Sequence, residues 1–91
     1  MSLPHSVDEA VQVLLTLMPE TEQAKVAQVR EEDLDRLHLG MGIWIRNNLG
    51  LWSGNDELMA DTGAYDADGA AAVITRTFWL RVRATRGIQQ P

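Results

Sequence analysis

The sequence contains no cysteine among its 91 residues, which excludes disulfide bonds and thiolate metal sites. Long hydrophobic runs are also missing, since no segment approaches the roughly 20 apolar residues of a membrane helix. The N-terminus has neither the basic nor the apolar region of a secretion signal. We therefore expect a soluble, cytoplasmic protein with no membrane partner.

Basic residues are scarce, with 8 Lys and Arg against 13 Asp and Glu and a net charge of −5. Every acid lies at or before Asp68, and the segment after it carries only arginines. Because an acidic protein repels phosphate backbones at long range, we expect no nucleic-acid partner despite this basic end. We interpret the arginines as complementing the negative end of a helix, with a partner patch as the alternative.

Persistent strand alternation is absent as well, and the composition, 45% hydrophobic and 23% charged, is that of a globular chain. A chain of this length has room for one core. We predict a single domain over residues 1–91, with frayed ends at 1–5 and 86–91.

Helical spacing of apolar residues is present along most of the chain. Ser6 and Glu9 have the spacing of a capping box before a helix over 7–18. A weaker pattern after Thr21 predicts a second helix over 22–30.

An acidic run opens a third predicted helix over 32–48. Ser53 or Asn55 can cap a short helix that ends near residue 61, and Asp66 can cap a last helix that ends near residue 84. The predicted fold is an all-α bundle of about four main helices around the central helix over 32–48, which contains glycine and tryptophan.

Residues 38–52 form the most informative segment, with two tryptophans, three glycines and a polar cluster. Helical side chains lean toward the N-terminus, so we expect the Trp44 indole to lie over Gly40. His38 and Arg46 are each one turn from Gly42, which predicts a shallow groove with Gly42 as its floor. We favour a neighbouring helix as the occupant of this groove, with a ligand as the alternative.

Catalytic or metal chemistry has little support in this segment. His38 has only His5 as a second imidazole, so no metal site is expected. A catalytic histidine needs an orienting acid, and Asp35 is the only local candidate. We expect no catalytic residue and no cofactor, and a half-buried His38 that is hydrogen-bonded to its neighbours.

The cluster of Arg46, Asn47 and Asn48 lies where the third helix is predicted to end. Its donors can bind the carbonyls of the last turn. The alternative is that the Arg46 guanidinium, with the two amides, captures a carboxylate from a ligand or partner. Three acids of this chain are also candidate acceptors: Asp56, Glu57 and Asp61.

Trp79 lies one turn from both Arg76 and Arg83, which permits cation–π contacts. Other residues of the last helix already define a core stripe: Ile74, Phe78 and Val82. We therefore expect Trp79 on an exposed face, as the first candidate for contact with a partner.

The residues from His38 to Trp52 also carry a resemblance. The pattern His38-x-Gly40-x-Gly42-x-Trp44-Ile45-Arg46-Asn47-Asn48-x-Gly50-Leu51-Trp52 resembles the signature of a small bacterial domain family of unknown function, over about residues 32–83. Leu39 and Leu49 stand where that family often has aromatic residues, so no aromatic stacking platform is carried over. The resemblance implies a helical domain and no known activity.

Three tryptophans and four methionines exceed what so small an interior is expected to hold. This favours a non-enzymatic helical module for protein interaction or regulation, whose surface involves Trp79, Trp52 and the groove beside Gly42. A protein partner or a homodimer would cover that surface. The alternative is a protein that binds a small anionic ligand, or an enzyme, through four polar residues: His38, Arg46, Asn47 and Asn48.

Overall fold

A computed structural model describes residues 3–87, which form five α-helices and no strand. The helices are α1 (Val7–Leu17), α2 (Glu20–Gln28), α3 (Leu34–Asn48), α4 (Asp56–Thr62) and α5 (Ala67–Thr85). One turn of 3-10 helix, Glu31–Asp33, leads into α3. The predicted all-α class is confirmed. Of the ends that we expect to fray, residues 1, 2 and 88–91 lie outside the described part of the chain.

Side-chain caps set three of the helix starts, as the sequence predicts. The Ser6 Oγ accepts a hydrogen bond from the Glu9 amide at 3.1 Å, and the Asp66 Oδ1 accepts one from the Gly69 amide at 2.8 Å. Asn55, rather than Ser53, caps α4. The predicted Thr21 cap is wrong, because the extended Pro19 precedes α2 and its carbonyl accepts the first amides of that helix.

The central helix is α5, not α3. α5 contacts each of the other four helices, whereas α3 buries only Gly42 and Ile45 along its length. The buried side chains of α5 are Ala67, Ala70, Ala71, Ile74, Thr75, Phe78, Trp79 and Val82. Small residues near its start and large ones further along let α5 serve as the shared core of the bundle. The prediction of a central glycine and tryptophan helix is therefore wrong.

The chain reverses direction after α3 through a short turn. Gly50 has a φ of 79°, a left-handed conformation that favours glycine, and the next residue, Leu51, folds back into the core. The side-chain Nδ2 of Asn55 donates to the carbonyl oxygens of Leu49 at 2.8 Å and Pro4 at 2.9 Å. The turn therefore presents Trp52 beside the end of α3. Across residues 3–87, no helix is long and apolar enough to cross a membrane.

Candidate functional site

Gly42 forms the floor of the predicted groove, where the neighbouring side chains leave no room for a Cβ. A Cβ at this position would lie 2.8 Å from the Cε1 and Nδ1 atoms of the His38 ring and 3.4 Å from the Arg46 Nη1. The imidazole and the guanidinium therefore meet over Gly42 from the preceding and following turns of α3. This local geometry agrees with the helical spacing of the three residues.

The occupant of the groove is Asp68, in the first turn of α5. Its Oδ1 accepts a hydrogen bond from the Arg46 Nη1 at 2.8 Å and lies 3.2 Å from the His38 Nε2. Both His38 and Arg46 are mostly buried, whereas the Asp68 side chain is 70% exposed. The carboxylate captured by Arg46 thus belongs to the chain itself, and it fixes the start of α5 against α3.

The other acids that the sequence offers as partners lie elsewhere. The Asp61 Oδ2 accepts a hydrogen bond from the Val7 amide at 2.7 Å, and the Glu57 Oε1 lies 3.4 Å from the His5 Nδ1. Asp56 is exposed in the first turn of α4. Asp35 is not the acid that orients His38, because Asp68 has that position. These four expectations favoured acids that are nearer in sequence to His38 or Arg46. The acid that contacts both residues is Asp68, which is more distant in sequence.

The two ring nitrogens of His38 have different surroundings in the His38–Arg46–Asp68 cluster. The His38 Nε2 already faces Asp68, and the His38 Nδ1 is buried with no hydrogen-bond partner among the described residues. The Nδ1 is thus closed to a substrate, while the Nε2 faces an exposed carboxylate.

Asn47 and Asn48 do not join the cluster. The Asn48 Nδ2 donates to the Trp44 carbonyl at 2.9 Å, which confirms the predicted contact with the last turn of α3. Asn47 is exposed on the solvent side of the helix. Two of the four residues of the anionic-ligand hypothesis therefore do not converge with His38 and Arg46.

Trp52 borders the cluster from the outside. The Arg46 Cζ lies 5.8 Å from the centroid of the Trp52 ring, within the range of a cation–π contact, while the Trp52 side chain stays 66% exposed. An exposed indole that is held against a cation is a suitable interface residue.

Trp79 is fully buried, and the prediction of an exposed position is wrong. Its Nε1 donates to the Val29 carbonyl at 2.8 Å, at the end of α2. The predicted flanking cations are present, with the Cζ atoms of Arg76 and Arg83 at 6.0 and 5.0 Å from the ring centroid. Because α2 covers this face of α5, Trp79 is a core residue and is not available to a partner.

The exposed apolar surface lies instead on α3. Its solvent side carries Leu39, Ile43 and Trp44, which are 69%, 55% and 39% exposed, together with Gly40. We call these four residues the α3 outer face. The Trp44 indole does not lie on Gly40 as expected, since a Cβ built there meets no described atom within 4 Å, the local helix backbone and adjacent residues aside.

A shallow apolar groove adjoins the α3 outer face and has a volume of about 510 Å³. Leu17, Met18 and Pro19 line it from the end of α1, and Leu37, Met41 and Trp44 line it from α3. Arg36 is the one charged residue of its lining. Sequence reasoning missed this surface, although α3 has apolar residues on all of its sides, which was the available signal.

A metal ion has no evident ligands in the described part of the chain, where no three or more His, Asp or Glu side chains are suitably grouped.

Comparison with curated proteins and with solved structures finds no match to either. A family model does match, over residues 3–82, and it is described as a domain of unknown function, DUF6794. Since this match covers most of the chain, the protein belongs to the DUF6794 family.

Proposed function

We propose that this protein is a non-enzymatic helical module for protein interaction, and that the α3 outer face and the adjoining groove receive the partner. The observation that carries the proposal is that three large apolar side chains of one helix point to solvent: Leu39, Ile43 and Trp44. A surface helix of a protein that acts alone is normally polar on that side.

The size of the surface supports an interface. With about 200 Å² for a fully exposed large side chain, these three residues and the exposed Leu17 present about 400 Å² of apolar area. That area falls in the range of the largest patch on a monomer, about 300–600 Å², which is often functional. Trp52, next to Arg46, adds a further exposed indole near the end of α3.

The competing hypothesis of an anionic ligand has less support from the contacts of His38 and Arg46. Arg46 and His38 are occupied by Asp68, and the amides of Asn47 and Asn48 do not reach them. A ligand carboxylate would have to displace a carboxylate that is already in place. Interaction through α3 needs no such exchange.

The partner that fits this surface is an apolar helix of another protein chain. The groove is shallow, and its lining carries one cation, Arg36, and no acid. A helix with apolar residues one turn apart matches such a groove. We place the module in the bacterial cytoplasm, as the sequence resemblance and the composition favour.

Site-specific photocrosslinking tests this proposal. A benzophenone amino acid replaces Ile43 on the α3 outer face, and a matched variant carries it at Gln12, an exposed position on α1. After irradiation in the native host, we expect a discrete adduct from position 43 and none from position 12, with mass spectrometry to identify the bound chain. Equal adducts from both positions, or no adduct from position 43, would refute the proposed surface.

A further inference from the structure

Gly40 has no structural role within one copy of the chain. It is not among the glycines with positive φ, and a Cβ there would meet no described neighbour within 4 Å. Gly42, by contrast, cannot gain a Cβ without moving His38. A glycine inside a helix costs about 1 kcal/mol relative to alanine. The use of glycine at position 40 therefore points to a neighbour from outside the chain that approaches the backbone of α3.

The surroundings of Gly40 are self-complementary. Arg36 lies one turn before it and Trp44 one turn after it, on the same side of α3. Arg36 is exposed and forms no ion pair with any other residue of the range 3–87, and the Trp44 indole is partly exposed. If two α3 helices cross antiparallel at Gly40, each Arg36 comes level with the Trp44 of the other copy. Each such pair can form a cation–π contact.

The apolar residues agree with the same arrangement. In a two-fold antiparallel pair, the same edge of each helix meets its counterpart, so Leu39 of one copy lies beside Ile43 of the other. Both side chains are more than half exposed in the single chain. Trp44 of each copy then faces the other copy's groove at Leu37, which is part of its lining.

Charge does not oppose this contact, although the chain carries a net charge of −5. The α3 outer face holds no acid, and Arg36 is the cation at its border. The two copies of Arg36 would be separated by about two helical turns, roughly 11 Å, which is near the Debye length at physiological salt. Each arginine is therefore nearer to an indole than to its own counterpart.

We infer that the partner is a second copy of this chain, bound through an antiparallel crossing of the two α3 helices at Gly40. This inference rests on the proposed function, because it names the occupant of the same surface. Two copies bring about 800 Å² of apolar area together, and the polar rim raises the total toward the roughly 1,000 Å² of a weak biological interface. The dimer is therefore concentration-dependent.

Single cysteines test the crossing point and the direction of the helices, since the native chain has none that could interfere. Under mild oxidation we expect Gly40→Cys to form a disulfide-linked dimer at least about tenfold faster than Gln12→Cys, because two-fold symmetry brings both positions 40 together. A mixture of Arg36→Cys and Trp44→Cys should cross-link between the two variants faster than either does alone. Equal rates for positions 40 and 12 would overturn the inference, as would preferred linkage of Arg36→Cys to itself.

Sedimentation of the native chain gives an independent readout. We expect the mass to rise from one chain toward two as the concentration increases from about 5 to about 500 µM, the range of a weak interface. Ile43→Glu should remain at the mass of one chain over the same range. Circular dichroism of this variant confirms that it is folded.

The outcomes separate the inference from the proposed function. If the native chain keeps the mass of one chain, and photocrosslinking at position 43 captures a different protein, the second-copy inference fails and the interaction module stands. If position 43 captures nothing, both fail. If it captures the same chain and the cysteine pairs link as described, both are supported.

Discussion

The two glycines in the middle of α3 should respond to alanine with opposite signs. Both substitutions gain about 1 kcal/mol of helix propensity relative to glycine. At Gly40 nothing opposes that gain, since the space around the new Cβ is open. We therefore expect Gly40→Ala to raise the free energy of unfolding of the single chain by about 0.5–1 kcal/mol.

At Gly42 the new Cβ would lie 2.8 Å from the His38 ring, so the imidazole must move away from Asp68. Overpacking costs about 1–3 kcal/mol, and loss of the contact with Asp68 costs about a further 1 kcal/mol. After the gain in propensity, Gly42→Ala should lower the free energy of unfolding by about 1–3 kcal/mol. The two variants then differ by about 1.5–4 kcal/mol, or roughly 6 °C or more in Tm for a domain of this size.

Urea and thermal unfolding followed by circular dichroism measures both variants, at about 2 µM so that self-association contributes little. His38→Ala combined with Gly42→Ala supplies the control, because removal of the imidazole also removes the obstruction. We expect Gly42→Ala to be less destabilising in that background than in the native one. If Gly42→Ala stabilises the native chain as much as Gly40→Ala does, the packing described for His38 is wrong.

Three further predictions concern the contacts around α5 and α3. Asp68→Ala should destabilise the chain by about 1 kcal/mol, and by less at about 1 M salt, because the exposed carboxylate is accessible to screening. A double-mutant cycle with Arg46→Ala measures the coupling energy between the two side chains, and a value of zero would contradict the ion pair. Trp79→Phe should cost about 1–3 kcal/mol in urea unfolding, because the partly buried Val29 carbonyl loses its donor; an unchanged midpoint would show that this bond contributes nothing. Trp52→Ala should cost less than about 1 kcal/mol, since most of the indole is already in water; a larger loss would mean that Trp52 is part of the core.

Features set by residues close in sequence could be predicted. The caps at Ser6, Asn55 and Asp66 follow from short polar side chains that bind amides three residues later. The approach of His38 and Arg46 over Gly42 follows from the pitch of one helix. In each case the interacting groups share one helical element, so the spacing along the chain fixes the geometry.

Features set by contacts between helices could not be predicted. Asp68 reaches Arg46 across 22 positions, and several other acids were equally eligible by sequence. The sequence predicts an exposed Trp79, because one apolar stripe already provides a core side for α5, but α5 is enclosed from several sides. The converse holds for α3, whose apolar residues predict a central helix, whereas one of its sides is exposed in the structure.

Asn55 joins three separate parts of the chain through one amide side chain. Its oxygen caps α4 at the Leu58 amide, and its nitrogen is shared between the carbonyls of Pro4 and Leu49. A helix of 7 residues, such as α4, is too short to persist by itself. Three parts should consequently open and close as one cooperative unit: the segment at Pro4 before α1, the turn that follows α3, and helix α4. We expect similar amide exchange rates in all three.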